Sequence, residues 1–165
     1  MFQSNLKTAN ACIHYVQKFS GPDIVWCPGG DQVGEEWEEQ FNLFPDFLNT
    51  SFDPRGAGKT ISFKKPPWSI NMYAHDLAEL IKNVCDPPVI IIGLSMGALI
   101  VQEILLKFPE LCRFGIAMGT SGKKSGFIHE WEEAEDFPVE LFKKAGDAGI
   151  LGIGFPESAG GCGGG

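Results

Sequence analysis

The sequence predicts an α/β fold, a doubly wound and mostly parallel sheet of about six strands. Three observations carry this. Residues 89–92, Val-Ile-Ile-Ile, form a β-branched run with no polar alternation, the pattern of a strand buried on both faces. The run passes directly into Gly93-Leu94-Ser95-Met96-Gly97, and apolar residues then recur at helical spacing: Leu99, Ile100, Ile104, Leu105 and Phe108. Further apolar runs at 23–27, 48–52 and 113–118 alternate with helical patterns, as crossover-connected parallel strands require.

In chain order, residues 2–8 and 12–19 read as two strands around the turn Ala9-Asn10-Ala11. His14 alternates with its neighbours in the second and reads as a strand-face residue. Asp23-Ile-Val-Trp-Cys27 reads as a buried strand, Pro28-Gly29-Gly30-Asp31 as the loop leaving it, and Glu35-Glu36-Trp37 as the opening of a helix. Residues 48–52 form the next strand. The loop after it ends in Gly58-Lys59-Thr60, which invites a phosphate-binding reading. That reading fails on spacing, because Asp53 stands where the pattern needs its first glycine and would repel phosphate. After the basic loop closed by Pro66-Pro67, Ser69 can cap a helix whose inward stripe is Ile70, Tyr73, Leu77, Leu80, Ile81 and Val84. His75 lies off that stripe and reads as a surface residue beside Asp76. Asp86-Pro87-Pro88 breaks the chain before the central strand.

Composition narrows the function classes. The 165 residues suffice for one domain with a core. A net charge of −8 argues against nucleic acid as a partner, since that requires a basic face. No apolar run is long enough to cross a bilayer, and the first residues show no basic segment followed by an apolar one, so a cytoplasmic, membrane-free protein is expected. The cysteines, Cys12, Cys27, Cys85, Cys112 and Cys162, are odd in number and contain no Cys-x-x-Cys pair; they read as small buried hydrophobes, not as disulfides or metal ligands.

A strand turning into a helix across Gly-x-Ser-x-Gly is a nucleophile elbow, with the serine thrust out at the strand tip and the helix N-terminus behind it. On that motif the chain resembles the α/β-hydrolase superfamily. Asp53-Pro-Arg55-Gly56-Ala-Gly58-Lys-Thr60 matches the Asp-x-Arg-Gly-x-Gly-x-Ser/Thr segment of similar hydrolases at every defined position. The resemblance implies that Ser95 is the nucleophile and that the backbone N–H groups of Met96 and Gly30, or in place of Gly30 that of Gly29, form the oxyanion hole. Asp53 and Arg55 would be structural.

In this family an acid and then a histidine follow the serine, on loops after later strands. The one later histidine, His129, reads as the start of a helix instead. Residues 1–127 thus make a partial α/β-hydrolase domain, an incomplete core with nucleophile and oxyanion hole but neither base nor orienting acid. Residues 128–165 resemble the N-terminal helical segment of acyl-CoA dehydrogenases, on Phe137-Pro138-Val-Glu-Leu, Ala145-Gly146 through Gly149-Ile-Leu-Gly152, and Pro156-Glu-Ser-Ala-Gly160-Gly161. A C-terminal helix over 139–148 and a disordered glycine-rich end are expected. The flavin-binding parts of that family are missing, so no cofactor and no metal are expected.

The expectation is a serine hydrolase for an ester, thioester or similar acyl bond of a small molecule, nearly inactive as this chain. A non-catalytic acyl-binding module and a dehydrogenase-related fragment are the alternatives. A chimera is favoured over a natural small protein, because the last strand would otherwise be an uncovered edge. Oligomeric state is not legible.

Overall fold

The computed structural model describes residues 1–119, and the sheet it contains begins antiparallel and continues parallel. Strands β1 (Phe2–Lys7) and β2 (Ala11–Lys18) form a hairpin; β3 (Asp23–Cys27), β4 (Leu48–Phe52), β6 (Val89–Leu94) and β7 (Cys112–Met118) follow. The spatial order is β1-β2-β4-β3-β6-β7, with the β4-β3-β6-β7 neighbours parallel. A seventh strand, β5 (Ile61–Ser62), pairs with Ala11 and Cys12 of β2 beyond the point where β4 leaves it. Two residues are too few to show a period, so only the sheet discloses this strand.

The unalternating apolar runs arise because the sheet has a core on each face. Along β3, Val25 and Cys27 join one cluster while Ile24 and Trp26 join the other. Along β6, Val89 and Ile91 point to the first, Ile90 and Ile92 to the second. The first cluster is covered by α2 (Ile70–Val84) and α3 (Met96–Lys107), the second by a short turn of 3₁₀ helix, Gly34–Trp37, running into α1 (Glu38–Phe41). The helix expected from Glu35 is therefore split in two.

Helix α2 follows the predicted stripe. Ser69 Oγ accepts a hydrogen bond from Met72 N–H at 3.3 Å, and Tyr73, Leu77, Leu80 and Ile81 are buried. His75 is exposed, its ring edge-on to Phe108. His14 sits on β2, buried, with Nδ1 3.1 Å from Asn5 Oδ1 on β1.

Cys12, Cys27, Cys85 and Cys112 are free thiols. Burial pushes the Cys27 thiol far up, and pushes Cys85 up to about 12 with Asp23 adding to the rise. Native protein at mildly alkaline pH should therefore leave Cys27 and Cys85 unalkylated by iodoacetamide, both reacting only in denaturant. Peptide mapping checks this, and rapid native labelling of Cys27 would contradict the central position of β3.

The C-terminal helix over 139–148, His129 and the glycine-rich end lie outside the described residues.

Candidate active site

The chain passes from β3 to β4 on one side, then crosses to place β6 on the other side of β3. The carboxyl ends of β3 and β6, where Cys27 pairs with Gly93, thus flank the point at which strand order reverses, and the loops leaving them diverge into a crevice. One loop is Pro28-Gly29-Gly30 and the other holds Ser95. Topology alone brings these two sequence-predicted segments together.

Ser95 is an exposed residue at φ 54°, ψ −114°, between the last residue of β6 and the first of α3. Left-handed φ in a side chain with a Cβ costs of order 1–3 kcal/mol and persists only where the surroundings impose it. Here they do. Ser95 N–H donates to Met118 O on β7 at 2.9 Å, and Ser95 O accepts from Ala98 N–H at 3.0 Å and Leu99 N–H at 3.3 Å. The turn is also tight on its inner side. A Cβ on Gly93 would lie 2.3 Å from Gly97 O, and one on Gly97 would lie 2.1 Å from Cys27 O and 2.6 Å from Pro28 O. Both glycines of the motif are therefore steric necessities, and the second presses α3 against the loop after β3.

Within that loop the two glycines differ. Gly29 is buried and its N–H donates to Gln32 Oε1 at 2.8 Å, so this donor is already engaged. Gly30 is exposed, and a Cβ placed on it meets nothing within 4 Å. Gly30 and Met96 line one hollow of about 140 Å³, together with Asp31, Arg55, Gly56, Trp68 and Tyr73. Met96 opens α3, where the first backbone N–H groups have no partner within the helix and carry its positive dipole end.

The loop after β4 holds this hollow from beneath. Asp53 Oδ1 accepts from Gly34 N–H at 2.9 Å and Oδ2 from Lys59 N–H at 2.7 Å, fixing the start of the 3₁₀ turn and its own loop. Gly58, at φ 52°, has no room for a side chain because a Cβ would sit 2.0 Å from Asp53 Oδ2. Arg55 is buried against Asp76 of α2: Nε donates to Oδ2 and Nη2 to Oδ1 at 2.7 Å. Burial pushes the Asp76 carboxyl up, and the Arg55 hydrogen bonds pull against that rise. Tyr73 O–H donates to Arg55 O at 3.3 Å, its phenol raised chiefly by burial.

Among the described residues no imidazole is hydrogen-bonded to Ser95; His14 is engaged with Asn5 and His75 stands on the outer face of α2. No group of three or more His, Cys, Asp or Glu among them could hold a metal ion. None of their helices is long and apolar enough to cross a membrane. Sequence reasoning missed Trp68 and Asp31 as walls of the hollow, and it left Asp76 without its partner.

The pattern of the alpha/beta hydrolase fold matches residues 22–148. A candidate non-heme bromoperoxidase, BpoC, of Mycobacterium tuberculosis is 30% identical over 141 residues, which cover 82% of this chain and 50% of that protein. 3-Oxoadipate enol-lactonase 2 of Acinetobacter baylyi is 29% identical over 98 residues, 58% of this chain and 36% of the enzyme. Among solved structures, a hydrolase from Pseudomonas aeruginosa superposes with a TM-score of 0.70 at 23% identity, covering 94% of this chain and 60% of its own. A candidate epoxide hydrolase from the same organism gives 0.69 at 18% identity, over 88% of this chain and 53% of its own. The chain spans about half the length of the curated relatives it matches.

Proposed function

The chain belongs to the alpha/beta hydrolase family, and from that premise we propose that Ser95 is the nucleophile of a hydrolase acting on the ester, thioester or similar acyl bond of a small molecule. The observation that supports this reading is the strained, exposed Ser95 at the turn from β6 into α3, next to Met96, which lines one hollow together with Gly30. In the proposed step, Ser95 Oγ forms a bond to the acyl carbon while the carbonyl π pair moves onto oxygen. The N–H groups of Met96 and Gly30 receive that charge; as the pair returns to re-form the carbonyl, the acyl C–O or C–S bond breaks and its electrons leave on the alkoxide or thiolate. Water then cleaves the acyl-serine. The hydroxyl proton needs a base, and none is in place among the described residues, so turnover should be slow. Loss of a triad histidine in a comparable enzyme costs about 10⁶ in rate, leaving roughly 10³–10⁴ over water.

A fluorophosphonate probe should label the intact chain at Ser95 slowly, over hours at high probe concentration, because the same base, missing among the described residues, is what would activate the serine toward it. Ser95→Ala should abolish labelling while leaving the fold unchanged. Turnover of p-nitrophenyl esters should remain feeble in both. Among the described residues no imidazole is bonded to Ser95, and this favours a second reading, a non-catalytic acyl-binding module. Retained acyl-ester binding with no labelling of Ser95 would select it. Rapid turnover abolished by Ser95→Ala would instead require a base such as His129.

A further inference from the structure

The hollow lined by Gly30 and Met96 shares part of its wall with a second opening. Gly56 and Trp68 also line a wider groove of about 500 Å³ whose walls include Ser62, Phe63, Lys64 and Lys65. The packed pair Gly56 and Trp68 is thus a wall common to both, with Gly30 and Met96 lining the hollow and Lys64 and Lys65 lining the groove. The ion pairs among the described residues are Lys18–Glu38, Arg55–Asp76, Lys59–Glu35 and Lys107–Glu103; Lys64 and Lys65 enter none of them, although the chain carries a net charge of −8. The loop presenting them is pinned. Arg55 Nη1 donates to Ser62 Oγ at 2.8 Å, Ser62 Oγ donates to Lys64 O at 2.8 Å, and Trp68 Nε1 donates to Lys64 O at 3.0 Å. The backbone that carries the two lysines is thus tied, through Ser62, to the buried Arg55–Asp76 pair, with Trp68 standing between them and the hollow.

We propose that Lys64 and Lys65 form an anion subsite, so that the acyl compound presented to Ser95 carries a carboxylate or phosphate-type group remote from its scissile bond. The proposal rests on the reading of Ser95 as nucleophile. Trp68 and Phe63 take the intervening apolar chain, and the lysines take the charge that such a chain would otherwise leave in a strongly acidic protein's field.

Calorimetric titration of the intact chain with ethyl pentanoate, monoethyl glutarate and ethyl phosphonobutyrate tests it. Both anions should bind about fivefold to tenfold more tightly than the neutral ester at low salt, the size two exposed ion pairs can supply. The gap should close at high salt. Whichever anion binds more tightly identifies the group. Lys64→Gln with Lys65→Gln should erase the preference and Lys64→Glu with Lys65→Glu should reverse it, both sites being exposed and free of folding roles. Ser95→Ala should keep it. Equal affinities for the three esters, or a preference that survives the glutamine pair, would overturn the proposal. A lysine-dependent preference without fluorophosphonate labelling would instead remove Ser95 as nucleophile and leave the subsite standing.

Discussion

Asp76→Ala should lower stability by about 3–5 kcal/mol, the cost of leaving a buried guanidinium without its counter-charge. The side chains of Arg55 and Asp76 are only 2% and 8% exposed, so water cannot take over for the missing carboxylate. Arg55 meets two oxygens of Asp76 and also Ser62 Oγ and, at 3.3 Å, Asn10 O, joining α2, β5 and the β1–β2 turn through one side chain. Arg55→Ala should therefore cost as much. Replacing both partners, Arg55→Met with Asp76→Leu, should cost less than either single change, because no charge is left stranded. Urea unfolding with a double-mutant cycle measures all three. Additive losses would mean that the two groups do not act as a pair. The apolar double variant should also lose much of the preference for anionic esters, since the loop of Lys64 and Lys65 hangs from Arg55 through Ser62.

That pair marks where the sequence stopped being legible. The stripe of α2 is visible in Tyr73, Leu77 and Leu80, and Asp76 lies three residues from Tyr73 and four from Leu80, on the same face. A carboxylate on a buried helical face must have a partner. The signal that could have found it was present, but the partner, Arg55, is 21 positions upstream and fixed only by the fold. The central strands were legible for the opposite reason. Two cores, one on each face, keep polar side chains out of β3 from Ile24 onward and out of β6, so β3 matches its expected span and the serine turn falls at the predicted junction. The resemblance already put Gly30 ahead of Gly29; that the Gly29 N–H is engaged by Gln32 is something no spacing rule reveals. The two-residue β5 owes its existence to the exposed edge of β2.

Gly97→Ala should damage both the fold and the chemistry, and more than its modest change in volume suggests. The added methyl would stand 2.1 Å from Cys27 O and 2.6 Å from Pro28 O, and both are backbone atoms with no rotamer to escape into. Either α3 lifts from the sheet or the loop after β3 moves outward. Overpacking of this kind costs about 1–3 kcal/mol or more, while the helix gains back roughly 1 kcal/mol from losing a glycine. The chemical penalty is separate. Gly30 lies two residues beyond Pro28, so a loop displaced by about 1 Å carries its N–H away from the charge it should meet, and misplacement on that scale can lower rates of order 100-fold. Fluorophosphonate labelling of Ser95 should slow accordingly in whatever fraction remains folded. Gly30→Ala separates the two effects. Its methyl meets no protein atom within 4 Å, so the urea midpoint should stay put, yet the group enters the hollow shared with Met96 and should slow labelling by itself. Unchanged labelling in both variants would place the oxyanion donors elsewhere, and with them the crevice between β3 and β6 would lose its claim to the reaction.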